Sequence, residues 1–244
     1  MPRAARPIAA GAIAFGLVLA ARFPARWAAA ALPGSVACAH IGGTVWSGTC
    51  SGLEAAGTHL GTAQWHLRPW VLFTGKLSLD LAVSPPGGDA RARVDLHPGG
   101  AIVATAVHAR FALGAGLIPA LPRSVGGTAA VDLPSIRFDG RRVTALQGRI
   151  EVRRITTGRG EPLGSYALLF PTGSGSGNEP VGRLTDLGGP FSVTGTVHLT
   201  AEGYVVRGLV AARPGAPPDL TAALRYLGSP DAQGRRPFSF AGTL

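Results

Sequence analysis

From Gly43 onward the chain repeats one phrase, a glycine followed by alternating apolar and polar residues. It reads Gly43-Thr-Val-Trp-Ser, Gly75-Lys-Leu-Ser-Leu-Asp-Leu, Gly127-Thr-Ala-Ala-Val-Asp-Leu, Gly148-Arg-Ile-Glu-Val and Gly195-Thr-Val-His-Leu-Thr. Alternation with period two places one set of side chains on a buried face and the other in water, which is the pattern of a strand. A leading glycine suits a turn exit or a twisted strand start. Similar runs lie at 61–67, 90–96, 101–108, 165–170, 190–193, 203–211 and 237–243. The pattern predicts about ten to fourteen short strands in antiparallel succession. The fold class is therefore mainly β, one large curved antiparallel sheet or partial β-barrel with one or two short helices.

Two segments read as helix. One starts after Pro217-Pro218, with Asp219 as N-cap, runs from Leu220 to Leu227 and stops at Gly228. The other covers Ala109 to Leu117 and is interrupted by Gly114 and Gly116. The stretch Pro171-Thr-Gly-Ser-Gly-Ser-Gly-Asn-Glu-Pro180 reads as a flexible loop tip. Its glycines do not both follow a strand and open a helix, which rejects a phosphate loop. The halves 41–125 and 126–244 allow an old duplication or one continuous sheet; one domain over 32–244 is the preferred reading.

Composition agrees. The 244 residues include 36 glycines and 20 prolines, a load that interior helix positions do not tolerate. Hydrophobic residues make 46% and charged ones 15%, which excludes a disordered polar chain. The net charge of +10 comes almost entirely from arginine, Lys76 being the only lysine. These arginines are dispersed along the sequence as single residues or pairs, without the interleaved aromatics of a nucleic-acid groove, so nucleic acid is not an expected partner.

The N-terminus sets the expected compartment. Arg3 and Arg6 precede an uncharged run from Ile8 to Ala21. Cations before an apolar run place the start of the chain in the cytoplasm and the rest across the membrane. Fourteen residues suit the core of a signal peptide, with Leu19-Ala20-Ala21 as a weak cleavage site. A membrane anchor results instead if Arg22 snorkels and the helix continues through Phe23 to Ala31. The division is thus a cytoplasmic stub with anchor or uncleaved signal over 1–31, and an exported β-rich domain over 32–244.

In an exported chain, Cys38 and Cys50, with eleven residues between them, read as a disulfide closing a short loop, the alternative being two unpaired buried thiols. They cannot hold a structural zinc alone, and the six histidines are scattered, although His59 and His66 lie near Trp65. There is no Gly-x-Ser-x-Gly elbow, Ser47 has no recognisable base, and Asp132 with Asp139 suits turns better than acid–base work. No catalytic, cofactor or metal residues are assigned, and the chain does not read as an enzyme. Trp46, Trp65 and Trp70 are close in sequence and serve either as core anchors or as a docking patch for a partner or lipid.

Taken in order, these blocks carry a resemblance. An export segment precedes Gly43-Thr-Val-Trp-Ser-Gly48, Leu60-Gly61, Trp65-His-Leu-Arg-Pro-Trp70 and Gly75-Lys-Leu-Ser-Leu. Leu163-Gly-Ser-Tyr, Leu184-Thr-Asp-Leu-Gly-Gly-Pro190, Gly195-Thr-Val-His-Leu, Leu224-Arg-Tyr-Leu-Gly228 and Asp231-Ala-Gln-Gly-Arg235 follow. The series resembles the N protein of bacterial type II secretion systems over essentially the whole chain. It departs from that pattern at Gly148-Arg-Ile-Glu-Val-Arg, where a tryptophan is expected shortly after the glycine. The resemblance implies a single-pass inner-membrane protein with its bulk in the periplasm, and it favours an anchor over a cleaved signal. The implied role is that of a non-enzymatic accessory to the machine that exports folded proteins through an outer-membrane secretin. The implied partners are the secretin and the inner-membrane platform proteins. A similarity in folding style to exported AsmA-type proteins keeps a second expectation, a lipid-binding or lipid-transfer groove.

Overall fold

The computed structural model describes residues 34–55, 57–115, 124–140, 142–173 and 179–243, with 21–29 and isolated positions between Gly11 and Leu19. The chain forms one antiparallel meander whose strands lie in the sheet in their order along the sequence. The first six are β1 (Val36–Gly43), β2 (Ser47–Ala55), β3 (Thr58–Leu67), β4 (Leu77–Ser84), β5 (Gly88–Leu96) and β6 (Ala101–Ala112). Two long strands follow at the centre, β7 (Gly126–Asp139) and β8 (Arg142–Thr156). The sheet continues through β9 (Pro162–Phe170), β10 (Val181–Gly188), β11 (Phe191–Leu199), β12 (Gly203–Ala212) and β13 (Arg236–Thr243). Among the described residues it is one 13-stranded antiparallel sheet with β1 and β13 as its edges, not closed into a full barrel.

The register turns the alternation of single strands into a property of the whole sheet. Residues directly opposite each other share a face. One ladder crosses every strand as Ile41, Cys50, Ala63, Val83, Ala90, Ala109, Val131, Ile150, Leu168, Leu184, Gly195, Gly208 and Phe238. It contains no polar side chain. The adjacent ladder on the opposite face runs through Gln64, Ala82, Arg91, His108, Asp132, Arg149, Leu169, Arg183, Thr196 and Arg207. The arginines dispersed in sequence therefore gather on one face, which the one-dimensional spacing concealed.

A single layer leaves much of the apolar face near solvent. The accessible surface is 15264 Å², against about 10,000 Å² for a compact chain of 24.8 kDa. Cover is concentrated near the ends of the sheet. At the C-terminal end the short helix Pro218–Ala223 and the turn after it fold back, so that Leu220, Leu224 and Leu227 pack against Phe191, Val193 and Val210. At the other end Ala25, in the short helix Ala25–Ala29, is buried.

Several local expectations are corrected. Ala109 belongs to β6 and not to a helix, because the alternation of 101–108 continues to Ala112 before a 3-10 turn at Leu113–Ala115; the rest of that predicted helix lies outside the described residues. The second helix is shorter than predicted and continues as the 3-10 turn Leu224–Tyr226. Its N-cap is Pro217, without a side-chain bond, and Asp219 lies in its first turn. Thr44 to Trp46 form the β1–β2 turn, so the first glycine phrase marks a strand end. Gly148 and Gly195 lie within β8 and β11 and do not lead them. The tip of the 171–180 loop and most of 1–31 lie outside the described residues. Among those described, no helix is long and apolar enough to cross a membrane.

Candidate functional site

The residues singled out by the sequence gather at one corner of the sheet. Cys38 and Cys50 form a disulfide between β1 and β2, with Cα atoms 5.7 Å apart. Trp65 is half-buried in β3; its indole N–H donates to the Val45 carbonyl at 3.1 Å. The ring covers Gly48, where an added Cβ would lie 2.4 Å from Trp65 Cζ2. A side chain at position 48 would displace the indole, so the glycine and the tryptophan are one packing unit. The Trp46 carbonyl accepts the Leu67 N–H at 2.6 Å, and the Phe23 carbonyl accepts the Val45 N–H at 3.0 Å. The chain entering from the N-terminus is thereby stitched to the β1–β2 turn and to the end of β3.

Beneath this corner the apolar face holds a cavity of about 360 Å³. Val36, Ile41, Leu53, Ala63, Leu67 and Leu81 are among its lining residues, with Ala25 and the disulfide beside them. Trp70 does not join this wall. It stands 80% exposed in the 3-10 turn Pro69–Thr74, stacked on the equally exposed Phe73 with ring centroids 6.5 Å apart. The core-anchor reading fails for Trp70 because the turn lifts it off the sheet.

The polar face is a field of ion pairs. Asp80 accepts from Arg68 at 2.8 Å and from Arg93 at 2.9 Å, Glu151 pairs with Arg149 and Arg153, and His108 lies 3.3 Å from Asp132. Asp132 sits mid-strand, so it does not serve a turn. His59 and His66 lie near opposite ends of β3 and do not meet. Among the described residues no three His, Cys, Asp or Glu side chains group to hold a metal ion.

The C-terminal blocks prove to be joints. Asp186 accepts the Val193 N–H at 3.2 Å and pairs with Arg213 at 2.5 Å, and Arg213 also donates to the Gly189 carbonyl at 3.1 Å. One carboxylate thus fastens the β10–β11 turn to the end of β12. Ser165 accepts the N–H of Arg154, an unusual non-glycine residue at positive φ where β8 bulges, and Tyr166 donates to the Leu163 carbonyl at 2.6 Å. Asp231 closes the last turn by accepting the backbone N–H groups of Gln233 and Arg235.

Burial pushes the Asp186 carboxyl up, but the hydrogen bonds and charge of Arg213 with the Val193 N–H outweigh it and hold the group below its ordinary value. The hydrogen bonds of Lys76 and Ser78 hold Asp95 low against its burial. A carboxyl lowered by folding stabilises above its unfolded pKa, near 3.9 for Asp, and that stabilisation is lost as pH falls through the folded value. The urea midpoint is accordingly expected to fall below about pH 4. Asp186→Asn should lower the midpoint at pH 7 and make the acid fall shallower; an unchanged acid profile would show that Asp186 carries none of it.

The described residues thus form a thirteen-strand open meander with one apolar face, one charged face and side-chain joints at its turns. The chain belongs to the type II secretion system protein N family, whose model matches residues 34–239. No curated protein and no solved structure matches it.

Proposed function

We propose that this chain is an accessory component of the type II secretion system, held at the inner membrane by residues 1–31, with its β-domain in the periplasm. It acts there by lending the free edge of its sheet to the periplasmic part of the secretin or to the inner-membrane platform proteins. The observation that carries this reading is the open sheet. The family match supports the system, and an unpaired edge strand supplies a mode of contact, since an extended segment can add to it by main-chain hydrogen bonds.

Of the two edges, β1 is flanked by the helix Ala25–Ala29, whereas among the described residues β13 pairs only with β12. Ser239, Phe240 and Ala241 are exposed along β13. A photo-reactive amino acid at Ala241 should yield adducts with another component of the system in living cells. The same group at Arg91, on the polar face, should yield far fewer. Equal yields from both positions would remove the edge-strand mode.

A second reading, a lipid-binding groove, is favoured by the unbroken apolar ladder and the 360 Å³ cavity beside the disulfide. In that reading the uncovered strip of the sheet lies under acyl chains.

A further inference from the structure

We propose that the 3-10 turn Pro69–Thr74 is a membrane-interface foot, a second contact with a phospholipid bilayer beside the N-terminal segment. The inference rests on the membrane-anchor reading and adds a site to it.

The turn has the chemistry of an interfacial contact. Trp70 and Phe73 are 80% and 85% exposed and Leu72 is 41% exposed, within a six-residue turn that has no buried residue. Exposing three large apolar side chains so close together in water is costly, since each forgoes the gain of leaving water. The turn is also well formed. It closes on Gly75 in the left-handed region, whose N–H bonds the Leu72 carbonyl, and the Thr74 hydroxyl donates to the Val71 carbonyl at 2.7 Å. The two rings stack on each other and not on the sheet. A firm turn that presents tryptophan outward suits the headgroup zone, where amphipathic aromatic rings are enriched.

Its position identifies the occupant. The uncharged run Ile8 to Ala21 leads into Phe23, whose carbonyl bonds Val45, and Pro24 bridges to Thr44. Trp46, next in that turn, accepts the N–H of Leu67, and the foot begins two residues later at Pro69. A bilayer that receives the apolar run therefore faces the end of the sheet that carries the foot. Phe15, Val18, Leu19, Phe23 and Trp27 are exposed along the entering segment. No acidic residue precedes Glu54, while Arg22 and Arg26 are exposed near the junction, a charge pattern complementary to anionic lipid. Two contacts on one end of the sheet would hold the β-domain in a fixed pose over the membrane, where a single tether would let it swivel.

The test uses the full chain in vesicles of phosphatidylethanolamine and phosphatidylglycerol, with an environment-sensitive fluorophore on Phe73→Cys. Pro86→Cys, exposed in the β4–β5 turn at the opposite end of the strands, is the control position. The label at 73 should shift to the blue on reconstitution and lose most of its emission to a lipid carrying a shallow quencher, while the label at 86 does neither. In a second measurement, Trp70→Ala with Phe73→Ala should leave the chain in the vesicles but increase the rotational freedom of a label at 86. Vesicle-bound chain with water-like emission at 73 would overturn the foot and leave the anchor standing. Chain that fails to float with the vesicles would overturn both.

Discussion

Gly148→Ala is expected to cost about 3–5 kcal/mol, a large share of what holds a domain of this size together. Gly148 lies at φ +131°, where an ideal Cβ would stand 2.3 Å from the Asp132 carbonyl oxygen and 2.7 Å from Leu133 Cα. Those contacts are backbone and cannot swing away. They arise because β7 bulges there: Asp132 faces Arg149 and Ser135 faces Gln147, so Leu133 and Pro134 together oppose the single Gly148. Proline has no N–H for a ladder, and the bulge is the place where a central strand accepts it. The substitution thus strikes the joint between the two longest strands of the sheet. A urea midpoint within experimental scatter of the parent would show that the bulge relaxes freely.

Replacing both Cys38 and Cys50 by serine is expected to cost about 3 kcal/mol, the loop-closure value for a bond of this span. The loss should be localised. The disulfide ties the edge strand β1 to β2, and β1 carries the junction through which the N-terminal segment enters. Hydrogen exchange should therefore rise in β1 and in the Thr44–Trp46 turn well before it rises in β7 and β8. Uniform loosening, or none, would contradict the assignment of the bond to the edge.

The strand content was legible because each strand has one greasy and one wet face, and that alternation survives in short stretches of sequence. The choice between a curved sheet and a partial barrel was not legible, since the strands of both alternate alike and the difference lies in how far the sheet bends. The run Trp70-Val-Leu-Phe73 left core anchor and docking patch both open for a related reason. Four apolar residues in a row signal burial unless the backbone leaves the sheet, and Pro69 with the left-handed Gly75 sets that departure. The disulfide was legible from two cysteines behind an N-terminus that read as an export segment. The Asp186–Arg213 joint was missed because its members lie 27 residues apart and meet only through three successive strands. A carboxylate before a Gly-Gly-Pro turn was the available signal.

A role in the type II secretion system has a direct consequence for export. The most direct measurement compares a secreted substrate in the medium and in the periplasm of a strain lacking the chain, with outer-membrane integrity scored alongside. Periplasmic retention of the substrate behind an intact envelope is expected, reversed by restoring the full chain. Normal secretion with a leaky or lipid-altered envelope would contradict that role and favour the lipid-groove reading.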